Sequence, residues 1–185
     1  MRKYGLGILL CYVLAGVAEA QVPTSGNVFL GYSYLNSNAA NSGGTALNGW
    51  NASLEGKVLP FIGIVADLDG HYGSQNLFVA GQFAGGSVES TSLAEHDFLF
   101  GPRVSAPLGR FRPFAHALIG VSHISESASG FSNSNTSFGD ALGGGLDYRL
   151  MRIVGVRLQA DDLQTRFFGG TQNNLRLSVG LVLRF

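Results

Sequence analysis

The sequence predicts an all-β chain: an eight-stranded antiparallel up-and-down transmembrane β-barrel preceded by a cleaved signal peptide. Three observations carry this. Eight segments alternate apolar with polar or small side chains, so each has one apolar face. The connections between them run long, short, long, short, long, short, long, which sorts tight turns to one end of a barrel and longer loops to the other. Charged residues make up only 13% of the chain, against about 25% in soluble domains. That is too few for an ordinary water-facing surface. Beyond the leader no apolar run nears the ~20 residues of a spanning helix, so any crossing must be made by strands.

Residues 1–20 read as the leader. Arg2 and Lys3 give a positive start, residues 5–17 are apolar, and Ala18-Glu19-Ala20 is a small-x-small cleavage site before Gln21. The expected domains are therefore 1–20, a signal peptide, and 21–185, the barrel. Cys11, the single cysteine, lies in the leader, so the mature chain is expected to contain no disulfide and no thiol chemistry. Twelve basic residues balance twelve acidic ones. No nucleic-acid partner is expected, because such proteins carry a basic excess.

Strand one is placed at residues 27–34, with Val28, Leu30, Tyr32 and Tyr34 on one face. Residues 36–48, rich in Asn, Ser and Gly, read as a loop. Strand two, 50–58, alternates Trp50, Ala52, Leu54, Gly56 and Val58 with Asn51, Ser53, Glu55 and Lys57. After a turn at Leu59-Pro60, strand three, 62–72, sets Ile64, Ala66, Leu68 and Tyr72 against Asp67, Asp69 and His71. A second polar loop is expected at 73–91, in which Leu77, Phe78 and Val79 could form a small cap. Strand four, 95–104, turns Phe98 and Phe100 out and Asp97, Gly101 and Arg103 in. Strand five, 112–123, has Ala115, Ala117, Ile119 and Val121 out, with Phe114, His116, Leu118 and Ser122 in. The Ser/Asn-rich residues 125–137 read as a third loop. Strand six, 138–148, carries Leu142, Leu146 and Tyr148 outward and Asp147 inward; strand seven, 153–164, carries Val154, Val156, Leu158 and Ala160 outward and Arg157, Gln159 and Asp161 inward. Residues 166–173 form a fourth loop. The last strand, 174–185, puts Leu175, Leu177, Val179, Leu181, Leu183 and Phe185 on one face and Arg176, Ser178, Gly180, Val182 and Arg184 on the other.

Outward aromatics are expected at both membrane interfaces: Tyr34, Trp50 and Tyr72 beside the long loops, Tyr148 and Phe185 at the short-turn end. Leader, eight strands, alternating connections and a terminal Val-Leu-Arg-Phe together resemble the small outer-membrane β-barrel superfamily of the OmpA transmembrane domain and OmpX-like proteins. The resemblance implies a place in the bacterial outer membrane among its lipids. It also implies biogenesis through periplasmic chaperones and the outer-membrane insertion machinery. Val179, Leu181, Leu183 and Phe185 match that family's assembly signal. The role it implies is structural, or contact with an extracellular partner through the loops, or passage of small solutes through a narrow pore.

The lumen of an eight-stranded barrel is narrow, so inward charges there must pair. Candidates for this network are Glu55, Lys57, Asp67, Asp69, Asp97, Arg103, Asp147, Arg157, Asp161 and Arg176, with Asp147 and Arg157 expected to pair across neighbouring strands. Basic residues gather near the short turns and acidic ones in the long-loop half, which suggests a field along the axis or an acidic mouth. No cofactor is expected. The histidines show no His-x-His or Glu-x-x-His spacing, so no metal ligands are assigned. His71 and His116 are expected to be hydrogen-bonded lining, and the Gly143-Gly144-Gly145 run to give room to a neighbouring aromatic. Two other functions remain open. His123, Ser125 and Glu126 or Asp140 have the chemistry of a hydrolase acting on lipid A, as some small outer-membrane barrels do. A soluble lipocalin-like barrel binding an apolar ligand would need the apolar faces turned inward.

Overall fold

A computed structural model describes residues 25–38, 44–79, 87–128 and 131–185. The expected leader, residues 1–20, lies outside the described residues. Eight antiparallel strands form one closed barrel in sequence order: β1 (Gly26–Ser37), β2 (Thr45–Lys57), β3 (Ile62–Val79), β4 (Ser87–Ser105), β5 (Phe111–Ala128), β6 (Phe131–Arg149), β7 (Val154–Thr165) and β8 (Gln172–Arg184). Closure is made by β1 against β8, in a register that runs from Asn27 opposite Arg184 to Asn36 opposite Leu175. Beyond it, the amide of Gly26 donates to the carbonyl of Phe185 at 2.9 Å and that of Phe185 donates back at 3.2 Å. The chain's two described ends thus meet at the short-turn end.

Period-two alternation sets the faces as expected. Leu30, Leu54, Leu68, Phe100, Ile119 and Leu142 are exposed on the outer wall, and so is the whole row from Leu175 to Phe185 on β8. That row covers ten residue steps, about 34 Å of strand. At a tilt of 35–45° it gives an apolar band roughly 25 Å tall, the height of a bilayer's hydrocarbon layer in barrels of this kind. Trp50 and Tyr72 are exposed and Tyr34 and Tyr148 half-buried, all on the outer face. Register puts Tyr34, Asn48 and Tyr72 at one level and Tyr32, Trp50, Gly70 and His96 at the next. The Tyr72 hydroxyl lies 2.9 Å from His96 Nε2. At the opposite end Phe111 and Tyr148 pack with ring centroids 5.1 Å apart.

The expected loops at 73–91 and 125–137 need correction. β3 and β4 continue their ladder from Gly73 opposite Leu93 to Val79 opposite Ser87, and β5 and β6 continue to Ala128 opposite Phe131. Only residues 129–130 separate β5 from β6. Ser, Asn, Thr and Gly favour turns in isolation. A register already fixed by the barrel below lets the next pair form at little further entropic cost, and pairing satisfies both backbones. Two of the four long connections, β3–β4 and β5–β6, are therefore raised hairpins, and Tyr72 sits beneath one of them instead of beside a loop. Leu77, Phe78 and Val79 have their backbone in β3, and their side chains lie outside the described residues.

Two inward glycines, Gly31 and Gly180, face each other at the seam. A Cβ on Gly180 would stand 2.3 Å from both Gly31 Cα and the Leu30 carbonyl oxygen. Gly180→Val is therefore expected to block closure, leaving little of the fast-migrating folded band on unheated SDS gels. A wild-type folded fraction would refute this account of the seam.

Candidate functional site in the barrel lumen

All ten charged residues assigned to the lumen point inward; nine are buried, and Lys57 is half-buried at the lower rim. They form layers. At the short-turn end Lys57 Nζ contacts Glu55 Oε1 at 2.5 Å and donates to Ser105 Oγ at 2.6 Å. Glu55 Oε2 accepts from Asn27 at 2.7 Å and from Arg103 Nη1 at 3.3 Å. Asp147 and Arg157, cross-strand partners in register, form a bidentate pair at 2.7 and 3.1 Å. Arg157 Nη2 also donates to Asn27 Oδ1 at 3.1 Å. Two guanidinium groups this close need more than carboxylates. Arg103 and Arg157 both lie over the Phe114 ring, at 4.4 and 4.6 Å from its centroid, where the π face is negative.

The middle layer is organised by Arg176. Its Nε and Nη2 donate to Asp161 Oδ2 at 2.9 and 2.7 Å, and its Nη1 to Asp67 Oδ1 at 2.7 Å and to Asp69 Oδ2. β8 thereby reaches past β1 and β2 to β3, a contact across the lumen. Asp161 Oδ1 lies 2.7 Å from His116 Nε2, and His116 Nδ1 takes a hydrogen bond from Arg103 Nη2 at 3.0 Å, linking the two layers. The glycines of β6 make room for this: a Cβ on Gly143 would stand 2.0 Å from Asp161 Oδ1, and one on Gly145 would stand 2.7 Å from Phe114 Cζ.

Above Arg176 the balance changes. Asp69 and His71 project from β3, and Asp97 and Glu95 face them in register from β4. The His71 Nε2 is 2.8 Å from Ser33 Oγ and its Nδ1 3.2 Å from Asp69 Oδ1. Glu95 Oε2 accepts from Ser37 at 3.0 Å. Asp67, Asp69, Glu95, Asp97 and Asp161 are five buried carboxylates, against the single guanidinium of Arg176 in this half. The acidic end expected from sequence is thus inside the lumen. Over it lies a lid of buried apolar side chains at the loop end: Leu35, Leu47, Leu93, Ile124, Leu163 and Phe167. Phe167 starts a single 3₁₀ turn, Phe167–Gly169, in the fourth connection.

Sequence reasoning missed the lid and Glu95, and left Asn27, which it placed on the inward face with Ser33, out of the network. Parity would have found them: Leu35 lies on the face of Ser33, Leu93 and Glu95 on that of Asp97. It also assigned no metal ligands, whereas the donor atoms of Asp69, His71 and Asp97 lie within 4.8 Å of one another. Spacing along one strand cannot show a ligand supplied by its neighbour. The hydrolase arrangement does not form. His123 is exposed on the outer face with Nδ1 2.7 Å from Thr136 Oγ1, and Asp140 pairs with Arg166 at 3.6 Å. The lipocalin arrangement is overturned as well, since the apolar faces are outside and the charges inside.

The fold and lumen define a small closed barrel turned inside out relative to a soluble one. Solved structures of this class are similar to it. Ail, the attachment invasion locus protein of Yersinia pestis, matches with a TM-score of 0.61 at 14% identity, over 87% of this chain and 98% of that one. Neisserial surface protein A matches with a TM-score of 0.65 at 12% identity, over 86% and 97%. A major outer membrane protein from Thermus thermophilus matches with a TM-score of 0.51 at 12% identity, over 86% and 99%. At these identities the likeness is one of fold. No protein-family model matches the chain, and no curated protein does.

Removing one member of a buried ion cluster strands the others. Arg176→Met is expected to lower unfolding stability by about 3–5 kcal/mol, read by urea titration of the refolded barrel. Asp147→Leu combined with Arg157→Met should cost less than either change alone, because the pair leaves together. Equal or additive losses would overturn that coupling.

Proposed function

We propose that the chain is an integral protein of the bacterial outer membrane, non-enzymatic, with a structural or surface-contact role and a closed lumen. One observation carries this: an outer wall of exposed apolar residues encloses buried ion pairs sealed by an apolar lid. A wall of that kind is stable in lipid and not in water. A lumen crossed by the buried and paired guanidinium groups of Arg103, Arg157 and Arg176 supports a closed interior rather than an open water path. The raised hairpins β3–β4 and β5–β6 supply the surface for an extracellular partner. Ail was solved with the heparin analogue sucrose octasulfate. In this chain the charged side chains described at the loop end beyond the buried network are Glu126, half-buried on the inward face beside Leu93, and Asp140, Asp162 and Arg166 on the outer face, a predominance of acids that favours a cationic or neutral partner over a polyanion.

Fractionation tests the location: the protein should sediment with outer membranes and need detergent for release, and recovery in the soluble periplasm would overturn the proposal. Planar bilayers test the lumen. The refolded barrel should show no resolved conductance steps, and steady steps would restore the pore reading. Insertion machinery and chaperones are further proposed partners, through Val179, Leu181, Leu183 and Phe185, which stand exposed on β8. Phe185→Ala should lower outer-membrane levels severalfold; normal levels would remove the assembly role of that residue.

A further inference from the structure

We propose that Asp69, His71 and Asp97, with Glu95 as fourth donor, form a binding site for zinc inside the barrel. The four residues are a square of inward side chains, two on β3 and two on β4, with Asp69 opposite Asp97 and His71 opposite Glu95. All are at most 2% exposed. Oδ1 of Asp69, Nδ1 of His71, Oε1 of Glu95 and both oxygens of Asp97 are buried without a hydrogen-bond partner. One donor atom from each of Asp69, His71 and Asp97 already lies within 4.8 Å of the other two, and Glu95 stands beside them in register opposite His71.

The surrounding contacts orient this set. His71 Nε2 meets Ser33 Oγ at 2.8 Å, and Ser33 meets Ser178 Oγ at 3.0 Å. An Nε2–H donated to Ser33 leaves the Nδ1 lone pair aimed at Asp69 Oδ1, 3.2 Å away. In that tautomer a cation between the two atoms would satisfy both, whereas in the other tautomer Nδ1–H donates to Asp69 and the Ser33 hydroxyl donates to Nε2. Asp69 is held from behind by Arg176 on its other oxygen, and Glu95 by Ser37. A ligating histidine normally has its second nitrogen fixed in this way. Arg176 is already shared with Asp67 and Asp161 and cannot neutralise Asp97 or Glu95 as well.

Donor type selects the metal. One imidazole and carboxylate oxygens suit zinc, which completes a four-coordinate shell at about 2.0–2.2 Å without water. Magnesium and calcium prefer all-oxygen shells of six or more ligands, which this closed space does not offer. Tetrahedral bonds of that length set donors about 3.4 Å apart, so closure around the ion needs side-chain rotations and no change in strand register. Because the square lies beneath the apolar lid, zinc enters during folding.

The test is refolding of the barrel in detergent with equimolar zinc, manganese, magnesium or calcium, followed by chelator wash, gel filtration and metal analysis. One zinc per folded chain is expected, with little calcium or magnesium retained. Asp97→Asn and His71→Gln should each lower zinc affinity by at least about tenfold, while Asp162→Asn, on the outer face, should leave it unchanged. X-ray absorption of the wild-type zinc form should show one imidazole with oxygen neighbours, a readout that stands even where the variants do not fold. No stoichiometric zinc in a folded barrel would overturn the site and indicate that protons hold the carboxylates together. So would unchanged affinity in both folded variants, or a first shell without imidazole. None of these results bears on the membrane location, which fractionation tests separately.

Discussion

Pairing of β1 with β8 leaves no strand edge in the sheet, and the rest of the structure depends on it. In hydrocarbon an unpaired backbone amide or carbonyl costs several kcal/mol, so an open eight-stranded sheet would pay that cost along two whole edges. Closure also fixes which face is inside. A slip of one residue at the seam would turn Leu177 and Leu181 inward and Arg176 outward. The Gly31–Gly180 contact sits at the middle of that seam and allows close approach only in the observed register. The aromatic end of β8 completes it, through the backbone pair of Phe185 with Gly26.

Once the ring is closed, its interior is too narrow to hydrate the charges it encloses. Each cation is therefore tied to several partners, and the ties run across the lumen as well as along the ladder. Arg103 on β4 bridges Glu55 on β2 and His116 on β5, and Arg176 on β8 reaches the aspartates of β3. Such struts brace opposite walls. They also make the layers interdependent, because His116 and Asp161 are shared between the Arg103 and Arg176 groups. Both guanidinium groups rest against the Phe114 ring, whose π face offsets part of their repulsion in a dry space.

Much of this was legible in the sequence because a strand has only two faces. Once strand two alternates Leu54 with Glu55, every side chain on it is assigned, and the same logic placed all ten lumen charges. What was not legible has two physical causes. Composition misreads backbone that is held by pairing: Ser, Asn and Gly at 73–91 and 125–137 look like loops, yet β3–β4 and β5–β6 continue through much of them. And sequence shows at best the neighbouring strand. Asp147 with Arg157 could be anticipated across a tight turn, whereas Arg176 with Asp67, or His71 with Asp97, depends on registers set by strands between or beside them.

The two halves of the lumen differ in how they meet the cost of buried charge. Near the short turns Lys57, Arg103 and Arg157 outnumber Glu55 and Asp147, and the faces of Phe114 and Phe29 offset part of the surplus positive charge. Toward the loop end three of five buried carboxylates share the Arg176 guanidinium and Glu95 and Asp97 do not touch it, beneath an apolar lid that keeps bulk water and its counterions away. Stability alone would favour replacing such acids with apolar residues, since buried charges rarely repay their desolvation. Leu99 and Leu118 on the same inner wall show that this barrel accommodates apolar lining. An acidic square at one height, with an imidazole held in place at its corner, is therefore better explained by a cation it was shaped to hold than by packing.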